Sequence, residues 1–197
     1  MSHSIRVPPD SFRNCRELEA YFGSDDCKCS HYRKYFPDCA CELTSVSEYS
    51  PGVVQDEEMV VRTIFNPAHI DPDGHLSPSY FRATMGRKGL SIDRLLYINE
   101  EQLIKQKRDT TGFSGDLYFV KTSVRELRQV RDSDGTRLFA IYDTATVDNH
   151  AHAEVCMNLY FEKGTRSRLQ KNMNIVLKLR QIFGACERVP ADADLDN

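Results

Sequence analysis

The run Met59-Val60-Val61-Arg62-Thr63-Ile64 constrains this chain more than any other stretch. It is short, β-branched and closed by Asn66-Pro67, which predicts a strand rather than a helix. Alternation puts Val60, Arg62 and Ile64 on one face and Val61, Thr63 and Phe65 on the other. Both faces are largely apolar, so the strand needs a sheet beside it and packing layers around it. Runs of similar character at 90–96, 116–121, 138–142 and 150–160 supply the partners. Helical patterns fall before and between them, over 11–22, 99–107, 124–129 and 165–183. The predicted fold class is α+β, with a small mixed or antiparallel sheet of four to five strands, short helices and a packed C-terminal helix.

The punctuation is local and readable. Asp71-Pro72-Asp73-Gly74 has proline and glycine where a tight turn wants them. Ser123 with Glu126 forms a capping-box pattern, and Asn99-Glu100-Glu101 opens a helix. Asp10 or Ser11 is expected to cap the first helix, whose face carries Phe12, Cys15, Leu18, Tyr21 and Phe22. His69, Asp71, Asp73 and His75 invite a metal reading, but the rest of an EF-hand loop is missing, and the stretch is read as a turn.

Four regions result: a helix and cysteine-rich knuckle over 1–44, a polar linker over 45–58, the α+β domain over 59–187 and an acidic disordered tail over 188–197. The knuckle rests on Cys27-Lys28-Cys29 and Cys39-Ala40-Cys41. Four thiolates can hold zinc tetrahedrally, and a metal would compensate for the few aliphatic residues there. Cys-x-Cys departs from the commoner Cys-x2-Cys spacing, so unligated thiols stay an alternative. His31 and Cys15 are reserve ligands. The chain has seven cysteines, an odd number, and no apolar leader or membrane-length run. The expectation is a cytoplasmic protein with no membrane association and with thiols or metal ligation rather than disulfides. The net charge of -3 argues against a uniformly basic nucleic-acid binder. The basic helix 165–180 could still contact phosphates, or dock a partner protein.

Arg62, the block Asp73-Gly74, Phe81, Gly89-Leu90-Ser91 and Arg94, with a later strand bearing His152-Ala153-Glu154-Val155, resemble a pattern in small, mostly uncharacterised bacterial proteins. The resemblance covers residues 59–157. It implies a compact α+β module, some members of which travel with mobile or defence-type gene cassettes, and it transfers no catalytic residue.

The candidate polar site gathers Arg62, Ser91, Arg94, His150, His152 and Glu154. On a strand, His150, His152 and Glu154 share a face, suited to acid–base chemistry or a metal. His152-x-Glu154 matches half of the zinc deaminase motif, but no Pro-Cys-x-x-Cys follows, only Cys186. The order Arg62, Ser91, Glu154 is compatible with the NAD grip of ADP-ribosyltransferase-like folds. The favoured expectation is a non-catalytic accessory protein, stabilised by zinc, that binds a partner protein and perhaps nucleic acid. The alternative is a small enzyme built on the polar site, NAD-using or a metal-dependent hydrolase.

Overall fold

A computed structural model describes residues 11–22, 28–36, 40–85, 89–131, 135, 137–157 and 173–191. The elements in chain order are α1 (Cys15–Phe22), α2 (Lys28–Tyr35), a 3-10 turn (Ala40–Glu42), β1 (Met59–Ile64), a second 3-10 turn (Pro67–His69), α3 (Pro78–Met85), β2 (Leu90–Arg94), α4 (Glu100–Thr111), β3 (Leu117–Ser123), α5 (Val124–Gln129), β4 (Phe139–Asp143), β5 (His152–Met157), α6 (Met173–Phe183) and β6 (Glu187–Val189).

The fold is α+β. Among the described residues the sheet has six strands, not four to five, in the order β4-β5-β2-β1-β3-β6, and every pairing is antiparallel. The extra strand is β6, at the start of the expected tail. It is short and carries Glu187 and Arg188, so no apolar alternation marks it. It exists because β3 offers an open edge that Glu187–Val189 can pair with.

Local signals behave as their chemistry requires. Asn99 and Gln102 form a reciprocal capping box on α4, and Gly112 closes that helix in the left-handed conformation. Ser123 and Glu126 do the same for α5. The first helix begins later than expected, because the side chain of Asn14, rather than Asp10 or Ser11, accepts the Glu17 N–H at 2.9 Å. At the Asp71–Gly74 turn, Asp71 accepts the N–H groups of Asp73 and His75, and Arg180 of α6 pairs with it at 2.5 Å. The turn is thereby docked on the C-terminal helix, and its carboxylates face a guanidinium.

One face of the sheet carries the larger core. Val60, Ile64, Leu90, Ile92, Val120, Ile141 and Val155 meet Tyr80 and Phe81 of α3, Leu127 of α5, and Val176, Leu179 and Phe183 of α6. The other face has two smaller clusters. Ala140, Tyr142 and Cys156 pack beneath α1 and α2, against Leu18, Phe22 and Tyr32. Val61 and Phe119 pack beneath Leu103 of α4.

Residues 45–58, expected to be a polar linker, are packed down. Val46, Ser47, Val54 and Glu58 are buried. Ser45 donates to the Asp143 carboxylate at 2.8 Å, and Ser47 donates to the Ala145 carbonyl at 2.5 Å. Serine-rich composition suits this, since the hydroxyls satisfy carbonyls and a carboxylate left open where β4 ends.

The four-thiolate knuckle is not assembled. Cys41 is bonded to Cys15 of α1, and Cys156 of β5 is disulfide-bonded as well. Cys27 and Cys39, and the side chain of Cys29, lie outside the described residues. Among the described residues no group of three or more metal-ligating side chains comes together. The pairing is tertiary: α1 buries Cys15 on its inner face, and the 3-10 turn delivers Cys41 to it across a gap of 26 residues. Among the described residues no helix is long and apolar enough to cross a membrane.

Candidate functional site

Between the two smaller clusters, the second face of the sheet is polar. Register explains why. Ser91 of β2 lies opposite Glu154 of β5, and Asp93 lies opposite His152. Directly opposed residues share a face, so these four side chains form one block. Thr63 of β1 is on the same face as Val61, by alternation, and Tyr142 of β4 is opposite Glu154.

Within the block, Ser91 Oγ lies 2.8 Å from His152 Nε2. His152 Nδ1 lies 3.0 Å from the Thr144 carbonyl oxygen and 2.9 Å from its hydroxyl. A carbonyl oxygen can only accept, which places the imidazole proton on Nδ1. Nε2 is then the acceptor, and the Ser91 hydroxyl donates to it. Ser91 and His152 are both half-buried.

Two arrangements flank this pair. The Asp93 carboxylate, almost fully buried, pairs with Lys107 of α4 at 2.8 Å and accepts from Asn149 at 2.7 Å. On the other side, Glu154 is buried near Tyr32, which is stacked on Tyr142 and donates to Glu19. Burial first, then the Glu19 carboxylate, push the Tyr32 phenol far above its ordinary value, with Glu154 and Tyr142 adding to the effect. The Thr63 hydroxyl is buried and has no hydrogen-bond partner among the described residues.

The remaining candidate residues are elsewhere. Arg62 projects from the opposite face, donating to the Tyr80 hydroxyl at 2.7 Å and to the Ser91 carbonyl at 3.0 Å. The β1–β2 register runs over Val60–Arg94 and Val61–Asp93, and Arg62 bridges the two strands beyond it. Arg62 and Ser91 therefore touch through the backbone, with their side chains back to back. The grouping of Arg62, Ser91 and Glu154 in one NAD-gripping pocket is not formed. Arg94 is fully buried on the Arg62 side. Its guanidinium makes two 2.7 Å contacts to Glu58 and a third to the Gly52 carbonyl, which ties segment 52–58 to the sheet. Asp143 lies 3.8 Å from it; burial raises that carboxyl, against the Ser45 hydrogen bond and the Arg94 charge. His150 is exposed in the turn before β5, where its ring meets the Tyr49 carbonyl at 2.9 Å.

The half-match to a zinc deaminase also fails on geometry. His152 and Glu154 lie on a strand, and Cys186 is far along the chain at the Gly74 turn, where its N–H donates to the Gly74 carbonyl. Burial pushes its thiol up to about 11, the reverse of what a ligand thiolate needs. Of helix 165–180, only 173–180 is described; there Lys178 donates to the Arg131 carbonyl and Arg180 pairs with Asp71 and Asp73.

Asp93, Thr63, Thr144 and Tyr32 belong to the site and were not among the candidates. For Asp93 a signal was available: a charge two residues from Ser91 in a strand buried on both sides. Thr144 and Tyr32 arrive through tertiary packing alone. Comparison with protein-family models, curated proteins and solved structures finds no match to this chain.

Proposed function

We propose that the chain is an enzyme of the nucleophile–base type, with Ser91 as nucleophile and His152 as base. The Ser91–His152–Thr144 chain of contacts carries this reading: a hydroxyl on Nε2, and an acceptor fixing the proton on Nδ1. In the reaction Ser91 Oγ forms a bond to an acyl carbon while its proton passes to Nε2. The imidazolium then gives that proton to the leaving group as the carbon–leaving-group bond breaks. Water, deprotonated by the same nitrogen, then adds to the acyl carbon. As the bond from that carbon to Ser91 Oγ breaks, Nε2 returns the proton to Oγ and the free acid leaves. Thr63, its hydroxyl buried on that face, supports the block from within rather than meeting the acyl oxygen. Arg62 acts as a positioning residue, holding the Ser91 backbone from behind.

A polar block between two apolar clusters, with Asp93, Glu154 and Thr63 buried beside the half-buried Ser91 and His152, supports the reading, since such groups cost stability unless they are paired or used. The test is covalent labelling with an alkyl fluorophosphonate. The expected result is one adduct on Ser91, absent in Ser91→Ala and slowed at least about a hundredfold in His152→Ala, as loss of a general base would do. Absence of an adduct, or equal labelling in His152→Ala, overturns it.

The accessory-protein reading rests on another feature. Leu96, Tyr97 and Val147 are exposed apolar side chains near the end of the sheet where β2 leaves, and they offer a surface for a partner protein.

A further inference from the structure

A concavity lies away from Ser91. It is a cleft of about 700 Å³ between segment 53–57 and α5, reaching Glu42 and Arg137. That volume falls in the range of small-molecule sites. Four arginines line it, Arg125, Arg128, Arg131 and Arg137, against three carboxylates, Glu42, Asp56 and Glu57, so the lining charges sum to about +1 (four minus three). The chain as a whole carries -3, so this cleft runs against the overall charge.

The charges are layered. At the base, the buried Glu42 accepts the Ile141 N–H at 2.6 Å and faces both Arg128, at 3.2 Å, and Arg137. One carboxylate thus serves two guanidiniums and holds their forks in place. At the rim the pairs are close, at 2.6 Å, but open to solvent. Arg125 and Glu57 are both mostly exposed, and Asp56, the other partner of Arg128, is half-exposed. The exposed Arg125–Glu57 pair contributes little, so a ligand oxyanion can take the place of the Glu57 carboxylate. Among the described residues the Arg131 guanidinium donates only to the carbonyls of Arg128 and Val130. Arg125 and Arg128 are three apart on α5, which sets their side chains on neighbouring positions of one helix surface. Guanidinium forks on that spacing suit two linked oxyanion groups, and planar bidentate donors favour phosphate.

We infer that this cleft binds a small molecule carrying adjacent phosphate groups, held at its base by Arg128 and Arg137 and at its rim by Arg125 and Arg131. The site is independent of the Ser91 chemistry.

Isothermal titration of the full chain with inorganic pyrophosphate at low ionic strength tests it. Arg125→Gln and Arg131→Gln change exposed positions, and their thermal melts establish that both variants fold. Each is expected to weaken pyrophosphate binding by about tenfold, the order expected for one charge-assisted hydrogen bond. Lys105→Gln, on the exposed surface of α4, is expected to bind like wild type. Citrate is expected to bind at least about tenfold more weakly than pyrophosphate, because its carboxylates do not match the paired forks. No binding of pyrophosphate overturns the proposal, as does an affinity unchanged in both arginine variants or lowered equally by Lys105→Gln. Citrate binding as tightly as pyrophosphate overturns the phosphate assignment.

Discussion

The two faces of the sheet use their polar residues in opposite ways. On the face under α3, α5 and α6, Arg62 and Arg94 stand among aliphatic side chains, and both are tied into structure: Arg62 to Tyr80 and the Ser91 carbonyl, Arg94 to Glu58 and Gly52. On the other face, Ser91, His152, Glu154 and Thr63 lie between two small apolar clusters, and the Ser91–His152 pair is half open. A strand delivers alternate residues to both environments, so polarity alone does not mark a site. What separates the faces is whether each polar group is consumed by the fold or left able to exchange partners.

The sharpest break of this comparison is Arg94→Ala. It strands the Glu58 carboxylate in the core and is expected to cost roughly 3–5 kcal/mol in urea denaturation. A loss under about 1 kcal/mol would show that Arg94 is not the structural anchor its burial indicates.

A smaller effect is expected at the Asp71–Arg180 contact, which holds the turn to α6. Burial alone would raise the Asp71 carboxyl, but the His75 N–H, the Arg180 guanidinium and the Asp73 N–H outweigh it and hold the group below the ordinary aspartate value. A folded value below the unfolded one contributes stability at higher pH, which is lost as pH falls through the folded value. Wild-type melting temperature should therefore drop more steeply than that of Asp71→Asn between about pH 5 and pH 2. Parallel curves would remove the assignment.

The smallest stability effect belongs to Thr63→Val. Replacing a buried hydroxyl with no partner among the described residues is expected to leave stability unchanged or raise it by up to about 1 kcal/mol, with fluorophosphonate labelling of Ser91 at the wild-type rate. A variant that labels more slowly would give the Thr63 hydroxyl a part in the chemistry.

Much of this was written locally in the chain. The five longer strands, the helix start at Asn99 and the capping box at Ser123 depend on residues within a few positions of one another, and each forms within a few residues of where the pattern puts it. The grouping of the site was only half legible. Alternation shows that Arg62 shares a face with Val60 and that Ser91 shares one with Asp93. It does not say which face of β1 continues into which face of β2, because that depends on register. The pairing Val61–Asp93 sets Arg62 and Ser91 on opposite sides. Cysteine connectivity is likewise non-local. Two Cys-x-Cys pairs read as one knuckle, whereas Cys41 pairs with Cys15 of the preceding helix, which sequence spacing does not reveal.

Glu42 has a consequence beyond its arginines. Among the described residues β4 is an outer strand of the sheet, and its Ile141 N–H points away from β5, into the Glu42 carboxylate. An outer strand with free N–H groups is a template on which another chain can add. Glu42 occupies that donor. The same side chain that orders the arginine cleft therefore closes one of the outward N–H positions of β4 to an added strand.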